Sequence, residues 1–176
     1  MPGKTVLSIA LTLVLLASGL VLAQGTGSHP SDERSGSGVA LGAWRKQFGS
    51  SWRAAVHSRT GRAEMLYGGS AEPPFQPQSD ADWELVARAH TRESAAVHGL
   101  DEGTLHLCDG GIKFLPLAMG HAGTNKMAAR FHQQAGGYEV VDGFVNVLMD
   151  LQGRMLMLQT PASPFLHELR LDVRIQ

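Results

Sequence analysis

Cysteine is almost missing from this chain of 176 residues: Cys108 stands alone. One thiol closes no internal disulfide, so the folded part must rest on its hydrophobic core. An excess of either charge is missing too, with 15 Lys and Arg against 16 Asp and Glu and a formal net charge of −1. That balance excludes the basic footprint of a dedicated nucleic-acid binder, and no polybasic patch addresses anionic membranes. Catalytic signatures are also lacking. There is no Gly-x-Ser-x-Gly elbow. His167-Glu168 opens the His-Glu-x-x-His pattern of a zinc peptidase, but Leu171 stands where the second imidazole should be. The other histidines include no i, i+4 pair; His90 and His98 fall about two helical turns apart, too far to share one metal. Gly110-Gly111 and Gly136-Gly137 lack the Lys-Ser/Thr end of a phosphate loop. The sequence therefore offers no catalytic residue, no metal site and no cofactor site.

What is present begins with a leader. Lys4 precedes a mostly apolar stretch over residues 6–22, and Val21-Leu22-Ala23 supplies a cleavage step before Gln24-Gly25. This is the pattern of a secretory signal peptide over residues 1–23. It predicts a secreted, periplasmic or extracellular protein with no membrane attachment after cleavage. The other reading of the same stretch is a retained anchor, since 17 mostly apolar residues approach a bilayer-spanning length. In an exported domain Cys108 invites the reading of a reactive thiol or an intermolecular bridge. In the run from Thr104, however, it sits opposite Leu105 and Leu107, the place of a small filler residue in a strand.

Residues 24–43 are rich in Gly and Ser, carry Pro30 and show no apolar period, which predicts a flexible linker before a domain over residues 44–176. Trp52, Ala54 and Val56 share one face of a short strand; Thr60-Gly61 pivots it into a second, which Gly68-Gly69 closes. Pro73, Pro74 and Pro77 make the following segment a surface connection. A helix is predicted over residues 79–98, with Ser79 or Asp80 as cap and Asp82 in the first turn. Trp83, Val86, Ala89 or His90 and Val97 lie near one face, and Gly99 is the stop. Leu105 and Leu107 suggest a strand, Asp109-Gly110-Gly111 a turn, and Ile112-Phe114 before Pro116 an edge strand. A last alternating run, Leu169-Leu171-Val173-Ile175, follows the break at Pro161-Pro164.

The most informative stretch is residues 130–158. Arg130-Phe131-His132-Gln133-Gln134 leads into Gly136-Gly137-Tyr138-Glu139-Val140. Asp142-Gly143-Phe144-Val145-Asn146-Val147 follows, then Gln152-Gly153-Arg154 and Met155-Leu156-Met157. Apolar alternation broken by Gly turns reads as an antiparallel meander. With one helix laid against it, the expected fold is α+β, a curved antiparallel sheet packed on one main helix.

The order Phe-His-Gln, Gly-Gly-Tyr and Asp-Gly-Phe also resembles the propeptide domain that precedes the catalytic domain of fungalysin- and thermolysin-type metallopeptidases. The resemblance spans about residues 44–165 and is most specific in its second half. It implies a non-catalytic domain that inhibits or assists the folding of a zinc metallopeptidase catalytic domain, its partner. A truncated precursor is one form this would take. Arg130, His132 and Gln134, on the outward face of the meander, are the candidate partner contacts, and a C-terminal segment after Pro164 is a candidate for strand addition into a protease cleft. The alternative is an extracellular binding or assembly module with no protease link; a small secreted hydrolase is a third reading.

Overall fold

The computed structural model describes residues 36–58, 61–116 and 124–162. The leader, residues 117–123 and the C-terminal run from Leu169 lie outside these. The described chain folds as α+β: one open, six-stranded antiparallel sheet and two helices.

Helix α1 spans Gly36–Phe48, and the hairpin that follows pairs β1 (Arg53–Val56) with β2 (Ala63–Ala71). Helix α2 (Asp80–His98) comes next, then a single 3₁₀ turn (Glu102–Thr104) and the strands β3 (Leu105–Leu115), β4 (Lys126–Ala135), β5 (Tyr138–Asp150) and β6 (Met155–Gln159). The strand order is β1-β2-β6-β5-β4-β3, so β6 returns to lie between β5 and β2. Every ladder carries a register shift, the device by which antiparallel sheets bend and twist.

Helix α2 forms where its sequence signals it. The Ser79 hydroxyl accepts from Asp82 N–H at 3.2 Å, and the Asp82 carboxylate accepts in return from Ser79 N–H at 3.0 Å, a closed capping box. Gly99 ends the helix in the left-handed region, at φ 68°. Trp83, Val86, Ala87, His90 and Val97 are buried against the sheet, whereas Leu85 points to solvent. Their partners are strand residues of one parity. The cross-strand row Leu66, Leu158, Val147, Ala129 runs beneath the helix, and all four are buried. Trp44 of α1 meets Trp52 edge-on at 5.6 Å and closes the β1–β2 end of this core.

Four local expectations need correction. Helix α1 begins at Gly36, inside the segment expected to be linker. Leu41 and Trp44 are both buried, so packing of two anchors overrides the weak helix propensity of its Gly and Ser. Gly68-Gly69 does not end β2; the strand runs past it, because Gly69 lies directly against the Trp52 indole where no Cβ would fit. Asp109-Gly110-Gly111 is a bulge inside one continuous strand β3, not a turn, and Asp142-Gly143 is likewise a bulge inside β5. Strand β3 does lie at the sheet edge.

Candidate docking groove on the open face of the sheet

Side chains of the other parity face away from α2. Tyr67, Met157, Leu148 and Ala128 are successive cross-strand partners on this second face, each exposed or half-buried, and Lys113 continues the row on β3. The next row holds Met65, Gln159, Asn146 and Arg130. No described helix or strand covers either row.

At one end of this face the two strands flanking β4 each swell. Four residues of β3, Cys108 to Gly111, stand opposite Arg130 alone, and four residues of β5, Val140 to Gly143, stand opposite Gln133 alone. Gly111 is required here: a Cβ on it would come within 2.6 Å of the Arg130 carbonyl oxygen. Asp142 adopts φ 58°, a left-handed conformation that Asp tolerates better than most residues. The two bulges form the lips of a groove of about 780 Å³, with Lys113, Ala128, Arg130, His132, Phe144 and Asn146 between them.

The three residues singled out from the sequence are gathered here, in two different roles. Arg130 is exposed, and its guanidinium lies over the Phe144 ring at 5.0 Å. No carboxylate pairs with it among the described residues, so its N–H groups are available to a ligand. His132 is half-buried and lines the groove. Gln134 does not line it; its amide nitrogen instead lies 2.8 Å from His132 Nε2 and orients that ring. With the amide donating to Nε2, the imidazole proton sits on Nδ1 and points to Cys108 Sγ, 3.6 Å away. His106, the cross-strand partner of His132 on β3, stacks on the same ring, with centroids 5.8 Å apart.

This arrangement bears on chemistry. A thiol nucleophile needs an imidazole lone pair to take its proton. In the tautomer set by Gln134 donation, the imidazole presents its Nδ1 proton to the Cys108 sulfur and has no lone pair facing it. Among the described residues no group of three or more His, Cys, Asp or Glu side chains is placed to hold a metal ion. His90 in the middle of α2 and His98 in its last turn face separate backbone carbonyls, those of Gly153 and Ala63. None of the helices among the described residues is long and apolar enough to cross a membrane.

Lys113, Phe144 and Asn146 were not among the sequence candidates. A tight turn at Gly136-Gly137 pairs Ala135 with Tyr138, which projects Gly143 opposite Arg130; the β5 bulge moves Asn146 there instead. Asp142-Gly143 was the available signal, since Gly inside a strand pattern marks a bulge as readily as a turn. No family model, curated protein or solved structure matches the chain.

Proposed function

We propose that the chain is an exported, non-catalytic propeptide-type domain that binds the catalytic domain of a thermolysin-type zinc metallopeptidase through the open face of its sheet. The observation that carries this reading is the face itself. A broad apolar row from Tyr67 to Ala128 and a groove with Arg130, which pairs with no carboxylate among the described residues, lie on it, and no described element covers them. A domain whose work is to dock needs such a surface. The sequence order supports the protease as partner: a hairpin, a helix, then the Phe131-His132-Gln133 strand, the Gly136-Gly137 turn and the Asp142-Gly143 step. Its lack of catalytic work is supported by the donor role of His132 toward Cys108.

The mechanism is thermodynamic and steric. A partner that binds only the native protease stabilises it in proportion to the logarithm of its concentration over Kd, and so assists folding. The same contact, made beside the substrate cleft, keeps substrates out. The test is a titration of the purified chain into a thermolysin-type metallopeptidase with a peptide substrate, together with refolding of the denatured peptidase in its presence. Dose-dependent slowing of hydrolysis or a raised refolding yield is expected. If neither occurs with any metallopeptidase of the same genome, the protease link is wrong and a binding module of another kind remains.

A further inference from the structure

Two histidines lie in the core where no docking role uses them. His90, in the middle of α2, is fully buried, and His98, in its last turn, is 3 % exposed. Each ring reaches across to the sheet layer. Nε2 of His90 lies 2.9 Å from the carbonyl oxygen of Gly153 in the β5–β6 turn, and Nδ1 of His98 lies 2.8 Å from the carbonyl oxygen of Ala63 at the start of β2. A carbonyl only accepts, so the facing nitrogen of each ring carries the proton. The second nitrogen of each ring is then a lone pair, buried and without a hydrogen-bond partner among the described residues.

We propose that His90 and His98 form an acid-sensitive clasp: neutral, they pin α2 to the β5–β6 turn and to β2, and protonated, they release it. A second proton on His98 would create a buried N–H at Nε2 facing no acceptor, a cost no solvent relieves. No carboxylate lies within ion-pair distance of His98 among the described residues. His90 is cushioned: Glu93, on its own helix, stands 3.9 Å from Nδ1.

The surrounding charges are otherwise engaged. Asp150 and Arg154, on either side of the β5–β6 turn that holds Gly153, pair with each other at 2.7 Å. Glu64, next to Ala63, faces His57 at 4.0 Å. Glu84, Arg88 and Arg92 of α2 are tied together with Glu102 of the 3₁₀ turn, and Arg45 of α1 donates to the Trp52 carbonyl while Lys46 is exposed.

Burial, against the opposing effect of the Ala63 carbonyl, depresses the His98 pKa to about 4, and burial also lowers that of His90 despite Gly153 and Glu93. The unfolded chain, titrating near 6.5, therefore binds more protons than the folded one over the interval from about 6.5 down to about 4. The stability that neutral His98 contributes is complete above that interval and declines as pH falls through it.

The experiment is urea unfolding of the full chain at pH 7.5 and pH 5.0, for the wild type, His98→Asn and the His90→Gln/His98→Asn double variant. The Asn amide takes the place of Nδ1 and the Gln amide that of Nε2, so each donor is kept without the titration. For the wild type the unfolding equilibrium constant should rise on the order of 30-fold at pH 5.0 through His98 alone. That rise should be lost in His98→Asn and in the double variant. A parallel loss in all three proteins would overturn the clasp. Where a variant fails to fold, proton NMR titration of the wild-type histidine rings decides: His98 remaining neutral at pH 5.5 upholds the clasp, and His98 titrating near 6.5 overturns it.

Discussion

The Arg130 guanidinium and the Phe144 ring are diagonal neighbours across the β4–β5 ladder, stacked at 5.0 Å on the face of the sheet that α2 leaves open. The direct partner of Arg130 is Asn146, so the stack exists only because the β5 bulge sets the register. The pair gives a mobile cation a fixed direction at the floor of the groove.

Reversing that charge tests the groove without touching the core. Arg130→Glu should change the stability of the isolated domain by less than about 1 kcal/mol, because the side chain is exposed and an exposed cation–π contact is worth about that much. Partner binding should weaken at least about tenfold, as expected for a central interface arginine. Calorimetric titration against the peptidase and urea unfolding read the two effects separately.

Gly69→Ala should damage the fold more than its size suggests. Its φ is unremarkable, but a Cβ would overlap the indole of Trp52, which is fully buried. Overpacking of this kind costs about 1–3 kcal/mol. A fall in the urea midpoint with unchanged slope would report it, and loss of the Trp52–Trp44 edge contact would be visible in near-ultraviolet dichroism.

The β5–β6 turn should depend on one carboxylate. Asp150 is nearly buried and accepts from Gln152 N–H at 2.9 Å, Arg154 N–H at 3.0 Å and Arg154 Nε at 2.7 Å. Asp150→Ala should cost about 1–3 kcal/mol, the loss expected when charged acceptors leave donors unmatched. Amide exchange at Gln152 and Arg154 should rise by more than at the distant β1–β2 hairpin.

Helix α2 should weaken predictably at its first turn. Ser79→Ala removes the acceptor for Asp82 N–H and should cost about 1 kcal/mol. Ser79→Asp retains an acceptor and should cost only a few tenths. Asp82 also ties down the Gln78 and Ser79 N–H groups; the Gln78 N–H first, then the Ser79 side chain and N–H, hold its carboxyl below the usual carboxylate range. Because that pKa is lowered on folding, its contribution is present above the unfolded value and fades as pH falls through the folded one. Thermal melts from pH 7 downward should therefore show the gap between Asp82→Asn and wild type widest at pH 7 and narrowing as the pH falls below the usual carboxylate range.

The parts of the fold that the sequence exposes are those governed by local chemistry. Ser79 and Asp82 close a box three residues apart, Gly99 supplies the left-handed stop, and Trp52, Ala54 and Val56 alternate as a half-buried strand must. What it hides depends on partners distant in the chain. Helix α1 has only Leu41 and Trp44 to announce it among Gly and Ser, and its formation depends on packing. Gly69 reads as a strand terminator until Trp52 is placed beside it. The groove is hidden most deeply. Arg130 and His132 were legible from parity on β4, but Lys113, Phe144 and Asn146 join them only through two bulges whose size no local rule sets.

The most direct test of the docking surface is a hydrogen–deuterium exchange footprint of the chain with and without a thermolysin-type metallopeptidase catalytic domain. The expected result is protection gathered along the groove and its lips, at residues 108–113 and 139–144, with the solvent face of α2 around Leu85 unchanged. Protection centred on α2, or no protection at saturating peptidase, would contradict binding through the open face of the sheet.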